Sequence, residues 1–288
     1  MTRISYLNGE FLPHEKCLVH IEDRGFQFAD GAYEVTLFRG GKLVDGDAHI
    51  ERFFRSLREL KIEHNFSADE LKKLQFDLFA KNNLTDGTCY MQITRGATNR
   101  VPYFPKGLTP TISATVSPYK KVSDEEFVRG FSFMTHDDIR WKRCDIKSIA
   151  LFASSMINQK AKDNGFDDAI LVRDGFVSEG SFANIFIVDE NDTLITRPAD
   201  GLILCGITRN RIIELAKKNG IKVEEKIFSV AEMMKAKEAF LTSSSLILRP
   251  VAKIDGKEIS DGKNRKIAKI LNDAYAEFIK PKSISSFP

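Results

Sequence analysis

Four times this chain sets a glycine-bearing turn beside short β-prone runs. Asn8-Gly9 separates Ile4–Leu7 from Glu10–Leu12, and Arg39-Gly40-Gly41 separates Val35–Phe38 from Lys42–Val44. Asp174-Gly175 lies between Ala169–Val172 and Val177–Ser178, and Asp255-Gly256 marks a hairpin near the end. Glycine tolerates the positive φ that a tight turn between antiparallel strands demands. Antiparallel neighbours are therefore expected in both halves of the chain. Further strands are expected at Thr88–Arg95, Ile112–Val116, Phe131–Thr135, Ile185–Val188, Thr193–Thr196, Val223–Ile227 and Ala239–Leu241.

Helical periodicity marks Asp47–Ile62, where Phe53, Phe54, Leu57, Leu60 and Ile62 lie largely on one face. A second helix is expected over Asp69–Lys81, behind Ser67 with Glu70 three residues on, a capping-box pattern. Others follow at Leu151–Asp163, after Gly206-Ile207-Thr208, at Val230–Ala236 and from about Asp261 to Ile279. Asp23–Glu34, dense in glycine, aromatics and acids, reads as a loop, either placing rings beside a cavity or simply turning over buried rings. Gly96–Pro110 carries three prolines and two glycines and reads as a loop from which Arg100 projects. Ser117–Asp124 is polar and aperiodic, the natural place for a domain boundary.

At 288 residues, 42% hydrophobic and 29% charged, the chain can bury a large core, and about two domains are expected. Its 43 cations and 40 anions leave a formal charge of +3, which argues against nucleic acid or a membrane surface as partner. No apolar run approaches the ~20 residues that span a bilayer, and the first residues lack a signal peptide's apolar core. Cys17, Cys89, Cys144 and Cys205 are scattered without a CxxC pair, so neither a metal cluster nor a disulfide scaffold is expected. A reducing cytoplasm fits these features.

Lys147 ends the polar stretch Asp137–Lys147 and precedes the mostly apolar Ser148–Met156. Desolvation at such a boundary lowers a lysine pKa, and a neutral amine attacks an aldehyde to form a Schiff base; a solvated surface lysine is the plainer reading. Arg52 falls early in its helix, where the dipole disfavours a cation, so it either meets an anion or is solvated. Gly206-Ile207-Thr208, a glycine and a Thr-capped helix start after a strand, offers free N–H groups to an anion or merely begins a helix. Thr242-Ser243-Ser244-Ser245 sets four hydroxyls at a strand end, suited to phosphate or to a turn. Glu179 stands beside another strand. A Schiff-base lysine, an acid for a pyridine nitrogen and a phosphate cup are what pyridoxal phosphate requires.

Six motifs turn that set into a resemblance: Asp23–Val35, His49-Ile50-Glu51-Arg52, Asp145-Ile146-Lys147-Ser148, Ser178-Glu179-Gly180-Ser181, Gly206-Ile207-Thr208-Arg209 and Phe240-Leu241-Thr242-Ser243. In this order they resemble the class IV (fold type IV) pyridoxal phosphate-dependent aminotransferases and cover nearly the whole chain. Asp138-Ile139-Arg140-Trp141 and Gln92-Ile93-Thr94-Arg95-Gly96 are most similar to the family's D-amino acid (D-alanine) branch.

The resemblance implies an α+β protein with a small N-terminal α/β domain (1–118), a linker (119–124) and a larger C-terminal domain on a β-barrel-like sheet (125–288), the cofactor in the cleft between them. It implies ping-pong transamination of a D-amino acid with a 2-oxo acid such as 2-oxoglutarate. Lys147 would form the Schiff base and move the proton, and Glu179 would keep the ring nitrogen protonated. Arg52, the amides of Ile207 and Thr208 and a hydroxyl of Ser243 or Ser244 would grip the phosphate, with Leu204 against the ring. Tyr33 and Arg100 match the substrate-carboxylate trap.

One departure is visible. The family's D-amino acid enzymes carry a histidine two residues after the arginine matched by Arg100, whereas this chain has Pro102; Arg249 either supplies replacement charge or is a surface or structural cation. A homodimer is implied, with the Arg100 loop reaching the partner's active site. Branched-chain L-amino acid aminotransferases and aminodeoxychorismate lyase share the scaffold and stay open as alternatives, as does a non-catalytic relative.

Overall fold

The computed structural model describes residues 2–260 and 265–280. Two compact units emerge, one with the residues up to Lys120 together with Ile146–Ala150, the other with Lys121–Asp145 and Leu151–Phe278. The division falls inside the 119–124 segment, and the five residues around Lys147 return to the first unit.

The first unit contains β1 (Ile4–Leu7), β2 (Glu10–Pro13), a 3-10 turn (His14–Lys16), α1 (Arg24–Phe28), β3 (Gly31–Arg39), β4 (Lys42–Leu43), α2 (Gly46–Glu59), α3 (Ala68–Lys81), β5 (Gly87–Thr94) and β6 (Thr111–Pro118). Its six strands form one antiparallel sheet ordered β2-β1-β6-β5-β3-β4. The helices cover it because their apolar residues recur at helical spacing. Ile50, Phe53 and Leu57 of α2 and Leu71, Leu74 and Leu78 of α3 join Cys89, Met91 and Ile93 of β5 and Ile112, Ala114 and Val116 of β6 in one core. Each such leucine or phenylalanine contributes roughly 1.5–3 kcal/mol through burial. The capping box at Ser67 and Glu70 forms as its pattern predicts.

The second unit runs α4 (Asp124–Arg129), β7 (Phe131–Asp137), α5 (Phe152–Asp163), β8 (Asp168–Arg173), β9 (Phe176–Gly180), β10 (Asn184–Val188), β11 (Leu194–Thr196), α6 (Ile207–Lys218), β12 (Val223–Glu225), α7 (Val230–Lys235), β13 (Glu238–Ser243), β14 (Ile247–Ile254), β15 (Lys257–Glu258) and α8 (Lys266–Phe278). Nine strands join in a mixed sheet, eight ordered β12-β11-β10-β13-β14-β7-β8-β9 with β15 beside β14. Phe131 and Phe133 (β7), Ile170 (β8), Val177 (β9), Ile185 and Ile187 (β10), Ile195 (β11) and Leu241 (β13) meet in a single buried cluster. Strands far apart in the order can share one cluster only if the sheet curls on itself, giving the barrel-like form expected.

Several local expectations change. Asp23–Glu34 is not a continuous loop: Arg24–Phe28 forms α1, N-capped by the Asp23 carboxylate accepting from Gly25 N, and β3 starts at Gly31. Ser123 and Glu126 close a capping box that starts α4, so the polar boundary segment ends at the start of an unexpected helix. α2 begins at Gly46, which puts Arg52 in mid-helix, beyond the reach of the N-terminal dipole. α8 starts at Lys266, and the onset expected at Asp261 lies outside the described residues. Among the described residues no helix is long and apolar enough to cross a membrane.

Candidate active site

In the first unit the Lys147 segment docks as an extra short strand along β3. Tyr33 N donates to Lys147 O at 3.0 Å, Ile149 N donates to Gly31 O at 3.0 Å, and Ala32 pairs with Ser148. Gly31 permits this, since a Cβ there would lie 2.7 Å from Ile93 O and 3.0 Å from the Ile149 side chain. Ser56 Oγ of α2 accepts from Lys147 N at 3.2 Å. The half-buried amine of Lys147 lies 4.2 Å from the centroid of the Tyr33 ring, which stacks on Tyr90 at 5.5 Å. Backbone pairing, a hydroxyl anchor and an aromatic face together fix where this amine points.

Arg52 has an anionic partner supplied by the chain itself. Its Nε and Nη2 donate to Glu34 Oε1 and Oε2 at 2.7 and 2.9 Å, and His49 Nδ1 lies 2.8 Å from Oε2. All three side chains are buried, Glu34 completely. Burial opposes the Glu34 charge, yet Arg52 first and His49 next outweigh it and hold the carboxyl far below its ordinary value. Burial pushes the His49 pKa down, against the pull of Glu34. The triad fixes the Arg52 guanidinium on a rigid carboxylate.

In the second unit Glu179 is the penultimate residue of β9 and is almost wholly buried. Arg140 Nη1 donates to Oε1 at 2.6 Å, Asn184 Nδ2 to Oε2 at 2.9 Å, and Leu204 N to both oxygens at 3.3 Å. Burial raises its pKa above the ordinary carboxylate value, while Arg140 and Leu204 N favour the charged form. Arg140 is itself held by Asp138 through Nε and Nη2 at 2.9 Å each, and Asp138 also accepts from Ser178 Oγ at 2.9 Å.

Asn184 ties this acid to the start of α6. Its Nδ2 also donates to Leu204 O at 2.8 Å, and a Cβ on Gly206 would sit 2.0 Å from its Oδ1. Only glycine fits there, and Gly206, not Thr208, is the N-cap residue. No side chain caps that end, so the first amides of α6, those of Ile207 and Thr208, keep the anion-seeking character of an uncapped terminus. Correcting the Thr-capped expectation therefore strengthens the anion reading.

The other expected residues are less alike. Ser243 Oγ accepts from Leu246 N at 3.3 Å and lies 3.4 Å from Ser245 Oγ, so it shapes the β13–β14 turn, whereas no hydrogen bond engages the Ser244 hydroxyl among the described residues. Arg249 lies 3.6 Å from Asp168 and over the rings of Phe131 and Phe133 at 4.5 and 5.3 Å, with burial lowering its pKa. It shares with Asp168, Thr242 and Ser243 the wall of a cavity of about 170 Å³ in the second unit. The Thr242 hydroxyl is buried with no partner. Arg100 is exposed on its loop with its guanidinium 4.9 Å from the Phe28 ring.

Sequence reasoning assigned no role to Arg140, Asn184, Glu34 or His49. Arg140 and His49 stood inside quoted motifs, but pairing across 39 residues, as between Arg140 and Glu179, leaves no local periodic signal.

Each unit taken by itself holds groups of the kinds pyridoxal phosphate requires: a carboxylate-held guanidinium and a lysine amine in the first, a buried acid and uncapped helix amides in the second. Comparison with known proteins agrees. The family model described as amino-transferase class IV matches residues 31–254. A D-alanine aminotransferase of Bacillus licheniformis is 40% identical over 272 residues, covering 94% of this chain and 95% of that protein. One from Staphylococcus epidermidis is 35% identical, covering 99% and 100%. The fold is similar to that of the Escherichia coli branched-chain amino acid aminotransferase, with TM-score 0.91 at 23% identity over 100% and 98% of the two chains. A T.th. branched-chain amino acid aminotransferase solved with pyridoxamine 5'-phosphate gives TM-score 0.90 at 21% identity, covering 98% and 96%. This chain belongs to the class IV aminotransferases, a pyridoxal 5'-phosphate-dependent family of fold type IV.

Proposed function

We propose that this chain transfers the amino group of D-amino acids, D-alanine in particular, to a 2-oxo acid such as 2-oxoglutarate. The observation that carries this reading is the near-full-length 40% identity to a protein named D-alanine aminotransferase. The likeness to branched-chain enzymes rests on structures under 25% identical and speaks to fold alone.

Pyridoxal phosphate, when bound, supplies an aldehyde for an amine and a ring that withdraws electrons from the substrate's Cα–H bond. Lys147 offers the amine that would anchor it, and the same amine would move a proton between the substrate's Cα and the cofactor's C4′. The Tyr33 ring lies against that amine, and Ser56 anchors the Lys147 backbone N from which the side chain extends. Glu179 keeps a proton on the ring nitrogen, and Arg140 and Asn184 keep Glu179 aimed. Arg52, the amides of Ile207 and Thr208, and Ser243 or Ser244 would hold the phosphate, and Leu204 would pack against the ring. Arg52 is preorganised for this by Glu34, so little is lost in ordering it.

Tyr33 and Arg100 bind the substrate carboxylate, and Arg249 adds positive charge where Pro102 has displaced the family's histidine. The active protein is a homodimer whose Arg100 loop serves the partner's site. In support, Leu18, Ile21, Phe26, Tyr103 and Phe104 are large apolar side chains left in water on one unit, a surface that an interface covers. The compartment is the cytoplasm, in keeping with four free cysteines.

The test is pyruvate release from D-alanine and 2-oxoglutarate by purified holoenzyme. Wild type should turn over and Lys147→Ala should not. Pyruvate from aminodeoxychorismate, with none from D-alanine, would replace transamination by the lyase reading.

A further inference from the structure

The Gly96–Pro110 loop has no regular secondary structure, yet its base is tied at many points. Gly96 (φ +101°) lies so close to Thr109 that a Cβ would fall 2.1 Å from Thr109 O, which brings the two stems together. Arg24 N donates to Gly96 O at 3.0 Å, Thr98 N donates to Glu22 O at 3.3 Å, and Asp23 pairs with Ala97. The segment leading into α1 thus zips along the loop's first residues.

Beneath it sits a buried ionic cluster. Asp30 Oδ2 accepts from Arg24 Nε at 2.7 Å and from Arg95 Nε at 2.8 Å, and Oδ1 accepts from Arg95 Nη2 at 2.9 Å. Arg95 also donates to Leu60 O and Lys61 O at 2.7 and 2.6 Å, fastening the cluster to the end of α2. Two guanidiniums then hold the loop. Arg24 Nη1 donates to Val101 O at 2.6 Å, and Arg95 lies 3.9 Å from the Phe104 ring centroid. Val101 precedes Pro102, so proline sterics narrow its backbone to the extended region and fix where that carbonyl points.

Arg100 is the cation this apparatus presents. It stands one residue before the anchored Val101, and its guanidinium lies 4.9 Å from the Phe28 ring centroid, while Arg24 contacts the same ring at 4.6 Å. No acidic side chain pairs with Arg100 among the described residues. A cation–π contact orients a guanidinium without using its N–H donors, so the donors stay available for a carboxylate in the bidentate geometry that arginine favours.

We infer that Phe28, held by Arg24 and the Asp30–Arg95 pair, is the positioning residue that aims Arg100 at the substrate carboxylate. The inference rests on Arg100 being a carboxylate-binding residue. It assigns the sequence Asp23–Asp30 a function apart from cofactor binding: α1 is a platform for substrate specificity. Phe104, lying on Arg95, clamps the far side of the loop.

The test compares Phe28→Leu, Phe28→Tyr, Phe104→Ala and Arg100→Ala in the holoenzyme, reading KM and kcat for D-alanine, cofactor retention and thermal midpoint. Phe28→Leu should raise KM on the order of threefold to tenfold, the size of a lost cation–π contact. Its kcat, cofactor content and midpoint should stay near wild type, and Phe28→Tyr, which restores the ring face, should restore KM. Phe104→Ala, made at a half-exposed ring, should give the same split even where Phe28→Leu lowers the yield of folded protein. A raised KM in Arg100→Ala beside unchanged KM in Phe28→Leu and Phe104→Ala would overturn the inference alone. An unchanged KM in Arg100→Ala would overturn the carboxylate role of Arg100 and the inference with it. Parallel losses of kcat, cofactor and midpoint would show a merely structural ring and also overturn it.

Discussion

Glu34→Gln tests whether Arg52 is set in place by the protein before any phosphate arrives. Glutamine keeps the volume and one carbonyl oxygen, but its NH2 must face either Arg52 or His49, and Arg52 loses its carboxylate. Glu34 is wholly buried and Arg52 is only 8% exposed, so water cannot replace the lost partner. Removing one member of a buried ion pair costs about 3–5 kcal/mol, on the order of 10 °C in the melting midpoint. The effect has a pH signature. Glu34 is held below its ordinary value of 4.5, so the folded chain binds fewer protons here than the unfolded chain. The stability it contributes is full above about pH 4.5 and disappears as pH falls through the folded value. Circular dichroism of urea unfolding, run on the apoprotein at pH 7 and again near pH 4, should show a large deficit in Glu34→Gln at pH 7 that narrows in acid. A deficit under about 1 kcal/mol at pH 7, or one independent of pH, would refute the argument that this triad organises Arg52.

Other substitutions probe separate parts of the account. Glu179→Gln keeps the shape but gives up the charge facing the ring nitrogen, and should lower kcat by at least about a hundredfold, the scale for losing one preorganised electrostatic group; single-turnover kinetics with D-alanine measure it. Arg249→Ala should raise KM for the amino acid while leaving cofactor affinity unchanged, and a fall in urea midpoint with unaltered KM would instead make its contacts with Asp168 and Phe131 structural. Gly96→Ala must place a Cβ against Thr109 O at φ +101°, so it should destabilise the protein by more than about 2 kcal/mol, read from its urea midpoint.

Much of the fold is legible from short-range pattern. The Asn8-Gly9 and Asp174-Gly175 hairpins and the Ser67 capping box require only residues a few positions apart, and the structure contains each. Short-range pattern failed where a side chain from far along the chain decided the outcome. The segment from Asp23 looks like a loop because it is dense in glycine, aromatics and acids, yet its stretch up to Asp30 holds α1, with buried Arg24 paired to Asp30 and Asp30 in turn to the distant Arg95. Arg52 stands out for a conflict with the helix dipole, but the carboxylate that holds its guanidinium in place, Glu34, lies 18 residues earlier on a neighbouring strand. The N-cap of α6 was misread for a similar reason: nothing in Gly206-Ile207-Thr208 reveals that Asn184 will crowd the glycine. Partners distant in sequence leave no periodic trace, so the site's supporting residues became visible only in three dimensions.

Removal of the amino group from a D-amino acid through Lys147 can be watched without a complete catalytic cycle. The most direct measurement is a single half-reaction: holoenzyme mixed with D-alanine, and separately with L-leucine, in the absence of any 2-oxo acid, following the cofactor's visible absorbance. D-alanine should bleach that absorbance and L-leucine should leave it intact. Bleaching by L-leucine with D-alanine inert would contradict this expectation and assign the chain branched-chain L-amino acid chemistry.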